Sequence, residues 1–296
     1  MPEDSKADAL ARILHSTGPF RGKSRLADSL GRLVSLWNDG CGIFPLASGV
    51  NVGVDLTDRV QRLMWGGAYE PHVTKCLSAL LRPGDTFVDI GAHIGFFSLL
   101  GCSLVGPSGK VYAFEANSNL FKKLQINASK YSWLEAISRA VWSESGRMSF
   151  SDPHQPGETG WGKLTSIRNE GHEVPVEAVS LDEWHVSAGS PSIRAIKIDA
   201  EGSEPFILEG ARRVIASNRP ILIIELNDEL LREVGKSREV VISSLRGQGY
   251  VICALASEKI KKHENIGDAL SPEVLCLPTE RIGEIKYILD TLRLEV

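Results

Sequence analysis

The sequence predicts an α/β fold, a mostly parallel sheet with helices on both faces, and three observations carry that reading. Short β-rich apolar runs at Thr86–Ile90, Lys110–Phe114, Ala195–Ile198 and Ile221–Leu226 alternate with stretches of helical periodicity. The first run passes into Gly91 and Gly95, and the other three are followed closely by, or end in, an acid: Glu115, Asp199 and Glu225. The 296 residues are 43% hydrophobic and 24% charged, enough to bury a sizeable core and far from the composition of disordered chains.

Residues 1 to about 45 read as a helical extension, with Leu26, Leu30, Leu33, Val34 and Trp37 as its apolar stripe, Ser24 capping its start and Gly40 ending it. That stripe needs a cover, either the main domain or a second copy, so a homodimer is one expectation. Val50–Leu56 and Val60–Trp65 read as two strands of a short β-hairpin separated by Thr57 and Asp58. The expected division is 1–68 for the extension and hairpin, and 69–296 for the main domain. Pro71 opens a helix whose inward positions are Val73, Cys76, Leu77, Leu80 and Leu81, stopped by Arg82-Pro83-Gly84-Asp85. Asn117 caps a helix with Leu120, Phe121 and Leu124 inward. A strand is expected over 136–142, a helix around 203–217, and further strands at Tyr250–Leu255 and Val274–Leu277. Ser151–Gly171 holds His154, Trp161, two prolines and four glycines, and reads as a substrate-facing loop.

Composition excludes several classes. Thirty-three Lys and Arg against 37 Asp and Glu give a net charge of −4, with no electrostatic footprint for nucleic acid or an anionic membrane. The polar, acidic N-terminus does not resemble a signal peptide, and Ile94–Val105 falls short of the roughly 20 residues that span a bilayer. Five scattered cysteines without a C-x-x-C pair suggest neither zinc nor a disulfide framework, and a reducing cytoplasm is expected. A small-molecule substrate is the expected partner.

The glycine turn after Asp89 lies where an open parallel sheet binds ligands, and its glycines would let a ligand approach the backbone; ordinary close packing is the alternative. Its spacing is Gly-x-x-x-Gly, unlike the pyrophosphate fingerprint. Asp89 disfavours a phosphate there and favours a cationic cofactor, which points to S-adenosylmethionine. Glu115 stands 24 positions after Gly91, near the offset at which a carboxylate grips an adenosine ribose. The third motif is Lys197-Ile198-Asp199-Ala200-Glu201-Gly202-Ser203-Glu204.

With that motif the chain resembles the FkbM-type S-adenosylmethionine-dependent methyltransferases. The resemblance runs from about Tyr69 to Leu255 through Tyr69-Glu70-Pro71, Pro83-Gly84-Asp85, Phe87–Gly95, Phe114-Glu115, Ala140-Val141, Ser180-Leu181-Asp182, Lys197–Glu204, Gly210-Ala211 and Pro220–Glu225. His93 departs from the usual Asn. The resemblance implies a Rossmann-like class I methyltransferase sheet with an antiparallel C-terminal strand, and O-methylation of a hydroxyl on a sugar or small natural product. It further implies that Glu70 closes on the cofactor's α-amino group. The turn residues Asp89, Gly91, Ala92, His93 and Gly95, with Glu115, Ala116 and Asp199, are expected to contact the cofactor.

The hydroxyl needs a base or a metal. Glu225 and Asn227, two apart on an extended strand, can converge on Asp199 if the strands are neighbours. The three would suit Mg²⁺; alternatively the acids orient Lys197 and the substrate, or form a structural ion-pair network. His154, His172 and His185 are candidate bases near the long loop, His172 first among them because the chain is returning to the sheet there. Expected catalytic residues are therefore Asp199, Lys197 and His172. The competing functions are a nicotinamide-dependent oxidoreductase, disfavoured by the glycine spacing and Asp89, and a catalytically inactive interaction module on the same fold.

Overall fold

The computed structural model describes residues 6–36, 40–45, 50–151, 159, 163–165, 173–255, 260–262 and 272–283. The N-terminal segment contains α1 (Lys6–Ser16), α2 (Lys23–Ser35), the antiparallel pair β1 (Cys41–Pro45) and β2 (Asn51–Asp55), and α3 (Arg59–Trp65). The expected hairpin is present with different strands, because Val60–Trp65 is helical. The Asp58 side chain accepts from the Gln61 N–H and starts the helix, and the Arg62 guanidinium turns inward to the carbonyls of Leu56 and Thr57. The buried stripe of α2 also differs from the expected one. Ala27, Gly31 and Val34 face inward while Leu33 is 50% exposed, since a Cβ on Gly31 would stand 2.7 Å from Arg62 Cγ and only small residues fit against that side chain. Gly22, not Ser24, occupies the N-cap of α2.

The alternation then runs as expected through α4 (Pro71–Leu80), β3 (Thr86–Ile90), α5 (Phe96–Val105), β4 (Lys110–Phe114), α6 (Ser118–Ala128) and β5 (Leu134–Ile137). Asn117 caps α6 by accepting from the N–H groups of Asn119 and Leu120. The expected strand over 136–142 is two strands in two sheets. Residues 140–142 form β6 (Ala140–Trp142), which joins β7 (Gly146–Ser151), β8 (Lys163–Thr165) and β9 (Glu173–Ser180) in a separate sheet of order β6-β9-β7-β8. Part of the segment read as a loop is therefore strand.

After α7 (Leu181–Ser187) and β10 (Ala195–Ile198), the helix expected over 203–217 breaks into α8 (Glu204–Glu209) and α9 (Arg212–Asn218). The break fits a close approach at Gly210, where a Cβ would stand 2.1 Å from the Trp142 carbonyl oxygen. Asp182 accepts from the N–H groups of Arg213 and Val214 and so orders the start of α9. The chain continues through β11 (Ile221–Glu225), α10 (Asp228–Glu233), α11 (Arg238–Gly247), β12 (Tyr250–Leu255), β13 (Ile260–Lys262) and β14 (Glu273–Pro278).

The central sheet has the order β13-β12-β14-β11-β10-β3-β4-β5. β11, β10, β3, β4 and β5 are parallel, whereas β14, β12 and β13 add antiparallel, so the antiparallel portion is three strands rather than one. Residues alternate between two cores. Phe87, Val111, Ala195 and Ile223 face α4, α5, α6 and the N-terminal segment, while Val88, Tyr112, Ile196 and Ile224 face α7, α9 and α11. Cys76, Cys102, Cys253 and Cys276 are buried free thiols, and no helix among the described residues is long and apolar enough to cross a membrane.

Candidate active site

The register of the parallel strands lines the charged residues up. Lys197 on β10 lies opposite Asp89 on β3 and Ile223 on β11, so Asp199 and Glu225, each two residues further on, emerge on the same face. A cavity of about 250 Å³ opens at these strand ends. Glu70, Glu115, Asp199, Glu201 and Glu225 line it, with Val60, Phe150 and Leu164 among its apolar walls.

Of the expected cofactor residues, Glu70, Gly91, His93, Glu115, Ala116 and Asp199 line the cavity. Asp89, Ala92 and Gly95 do not. Asp89 is 1% exposed, one row below, where it accepts from Ser98 Oγ at 2.6 Å and faces Lys197. Burial raises its pKa against the pull of Lys197 and Ser98. In this position it stands opposite the Lys197 ammonium.

The glycines serve the chain itself. Gly91 has φ +78°, and a Cβ there would stand 1.8 Å from the Asp199 carbonyl oxygen; at Gly95, φ is +91° and a Cβ would stand 2.6 Å from Leu124 Cδ1. The turn also spends its donors internally. The N–H groups of Gly91 and Ala92 both reach the Phe114 carbonyl, that of His93 reaches Glu115 Oε2, and that of Gly95 reaches the Ala92 carbonyl. The expectation that glycines expose N–H groups to a ligand thus fails at these four positions. A pyrophosphate would find those donors taken, which counts against the dinucleotide alternative. His93 has φ 55°, a left-handed conformation in which Asn, Asp and His are enriched, so replacing the usual Asn by His preserves the turn.

Glu115 is gripped by backbone, its two oxygens accepting from the N–H groups of His93 and Asn117 at 2.8 Å each. Burial pushes its carboxyl up to about 7. Each oxygen keeps acceptor capacity, which suits a pair of ribose hydroxyls. At the other end Glu70, also in left-handed backbone (φ 35°), is raised chiefly by burial while Lys197 opposes the shift. An ammonium group arriving beside Glu70 would favour its ionised form. The residues present fit an adenosine-linked amino acid that carries positive charge.

Lys197 is the buried cation of the site. Its Nζ lies 2.7 Å from Asp199 Oδ2 and 4.9 Å from the centre of the Phe97 ring, and Tyr69 packs against Phe96 and Phe97. Burial favours the neutral amine, yet the charges of Asp199, Glu70 and Asp89 outweigh it and raise the pKa. Burial likewise opposes ionised Asp199, and the Lys197 charge prevails to lower its pKa. Glu225 is raised, first by the Asp199 charge and then by burial, and the two carboxyl groups share a hydrogen bond. The three groups are coupled: Lys197 and Asp199 each favour the other's charged form, and the Asp199 charge disfavours that of Glu225.

The proposed Mg²⁺ set does not form. Asn227 Oδ1 caps α10 by accepting from the Glu229 N–H, and Asp199 is already paired with Lys197. Among the described residues no group of three His, Cys, Asp or Glu side chains could hold a metal. The Lys197–Asp199 contact of 2.7 Å is common to the reading in which the acids orient Lys197 and to a structural ion-pair network. His154, Trp161 and His172 lie outside the described residues. His185 is remote in role, its Nε2 lying 2.8 Å from the Pro191 carbonyl.

Several cavity residues were not foreseen. Val60 lies on α3 rather than on a strand, and Phe150, Leu164 and Thr159 belong to the second sheet or to the 151–171 segment. Glu204, part of the third motif, shapes the turn by accepting from the N–H groups of Ala200 and Gly202. The motif spacing could have suggested that role, as it places an acid one turn after a strand end.

Known proteins resemble the chain. It is 28% identical over 203 residues to the 31-O-demethyl-FK506 methyltransferase FkbM of Streptomyces tacrolimicus, covering 59% of this chain and 75% of that protein. It is 24% identical over 170 residues to the 2-O-methyltransferase NoeI of Sinorhizobium fredii, covering 53% and 69% respectively. A solved methyltransferase FkbM from Methylobacillus flagellatus shares 18% identity with a TM-score of 0.42, over 74% of this chain and 53% of that one. Residues 89–252, more than half of the chain and including the Glu115 cradle and the Lys197–Asp199–Glu225 array, match the Methyltransferase FkbM domain; the chain belongs to the FkbM methyltransferase family.

Proposed function

We propose that the protein transfers a methyl group from S-adenosylmethionine to a hydroxyl oxygen on a sugar or small natural product. The observation that carries this reading is the shared cavity: the backbone N–H cradle of Glu115 and the 2.7 Å Lys197–Asp199 ion pair stand at the same strand ends. When bound, the cofactor supplies an electrophilic methyl group on a sulfonium. Glu115 would accept from the ribose hydroxyls and Glu70 would hold the α-amino group. Asp199 accepts the proton of the incoming hydroxyl, and Lys197 and Glu225 hold that carboxylate in place. Alignment of the oxygen can supply roughly 7–11 kcal/mol of the barrier and a positioned base about 10²–10⁴-fold in rate. Val60, Phe150 and Leu164 offer an apolar wall for the acceptor ring. Two relatives are named for oxygen positions, 31-O and 2-O, and a third, AglP of Haloferax volcanii, for a hexuronic acid, which supports an oxygen acceptor.

The test is methyl-labelled S-adenosylmethionine offered with hydroxyl, amine and carboxylate acceptors of similar size, with and without EDTA. Transfer to hydroxyls that EDTA leaves unchanged is the expected result. Stabilisation by NAD without any by S-adenosylhomocysteine in a melting experiment would overturn the reading.

A further inference from the structure

Glu70 lines the cavity from outside the matched domain, which begins at residue 89, so the contacts that hold it come in part from this chain's own N-terminal segment. Its backbone is left-handed (φ 35°, ψ 60°), a conformation that a glutamate keeps only where its surroundings impose it.

Two helices grip the turn that delivers it. α3 ends in Trp65-Gly66-Gly67, where the N–H groups of Gly66, Gly67 and Ala68 reach the carbonyls of Arg62, Met64 and Leu63. Ala27 of α2 lies against Gly66, where a Cβ would stand 2.3 Å from the Ala27 Cβ. The His15 ring of α1 covers Gly67, where a Cβ would stand 3.1 Å from His15 Nδ1, and His15 Nε2 lies 3.1 Å from the Trp65 carbonyl oxygen. A carbonyl only accepts, so His15 is the donor in that bond.

A row of rings makes a second route to the same place. His15 stacks on Phe44 of β1 with centroids 5.1 Å apart, Phe44 meets Phe96 at 6.5 Å, and Phe96 meets Tyr69 edge-on at 5.5 Å. Phe44 and Phe96 are buried. Tyr69 immediately precedes Glu70, and the two side chains share a hydrogen bond.

We propose that His15 is a positioning residue for the amino-acid end of the cofactor: by holding the Trp65–Gly67 turn and, through Phe44 and Phe96, the Tyr69 ring, it keeps the Glu70 carboxylate where the α-amino group arrives. The inference rests on the S-adenosylmethionine reading above and on the role of Glu70 in it. It assigns part of the cofactor affinity to a helix that lies outside the matched domain.

Calorimetry on the full chain tests it by comparing S-adenosylhomocysteine with 5′-methylthioadenosine, which keeps the nucleoside and lacks the amino-acid portion. His15→Phe keeps a ring against Phe44 and removes the N–H; it is expected to weaken S-adenosylhomocysteine about tenfold and to leave 5′-methylthioadenosine unchanged, as is Glu70→Gln. Phe44→Leu interrupts the row of rings and is expected to show the same selectivity. His15→Gln, whose amide can donate to the Trp65 carbonyl, is expected to bind S-adenosylhomocysteine more tightly than His15→Phe. Combining His15→Phe with Glu70→Gln is expected to cost no more than Glu70→Gln alone, because both act through one contact. A loss shared equally by the two ligands, wild-type affinity in His15→Phe or Phe44→Leu, no recovery in His15→Gln, or additive losses in the double variant would overturn the inference alone. Unselective binding in Glu70→Gln would overturn the role of Glu70 and the inference with it. Failure of the wild-type protein to bind either ligand would overturn the cofactor reading itself.

Discussion

Two carboxylates in one cavity are held by opposite means. Glu115 is gripped by two backbone N–H groups, and burial prevails over them, so its pKa rises to about 7. Asp199 is equally enclosed but touches Lys197, and its pKa falls. The difference teaches how a site can place negative charge selectively. Glu115 can ionise when a ligand supplies hydroxyl donors, whereas Asp199 is ionised before any ligand arrives.

The sharpest way to break this contrast is Lys197→Met, which deletes the cation and leaves Asp89 and Asp199 buried without it. Losing one partner of a buried pair costs about 3–5 kcal/mol, so a fall of that size in a urea melt is expected, with methyl transfer lost as well. Asp199→Asn keeps the shape and removes the base; turnover is expected to fall about 10²–10⁴-fold while S-adenosylhomocysteine still binds. Glu115→Gln acts on the other carboxylate and is expected to weaken S-adenosylhomocysteine about tenfold, near 1.4 kcal/mol, with turnover at saturating cofactor little changed.

The same carboxylate also shows in pH. Folded Glu115 keeps its proton up to about pH 7, whereas its ordinary value is 4.5, so its contribution to stability is whole below about 4.5 and is lost as pH rises to about 7. Asp199 slopes the other way, adding stability that is lost as pH falls through its lowered folded value. In the ligand-free protein Glu115→Gln should flatten the decline between pH 4.5 and 7, which for one proton is at most about 1.4 kcal/mol per pH unit. An unchanged profile would mean that Glu115 is ionised in the folded state.

The contrast itself could be read only in part from the sequence. The strand ends that carry Glu115, Asp199 and Glu225 were legible because buried parallel strands are short apolar runs with abrupt polar ends. Whether an acid there meets a cation depends on register between strands 108 residues apart in sequence, Asp89 against Lys197, and no local pattern encodes it. Val60–Trp65 misled because a short apolar run suits strand and helix equally; the Asp58 cap decided it. On α2 the leucines drew attention, yet Ala27 and Gly31 are buried, since a neighbour as large as Arg62 leaves room only for small residues. Thr159 had no signal at all, because its partners Asp58 and His93 are distant in the chain.

The strand order carries a consequence for synthesis. β12 reaches the parallel strands only through β14, which follows it in the chain and lies between it and β11. While the ribosome has not yet released residues 273–278, β11 therefore presents an open edge beside Glu225, with its hydrogen-bonding groups unpaired on that side. Such an edge is a template for mispairing with other chains. A ribosome that stalls within β13 would leave the strand that carries Glu225 with that edge still uncovered.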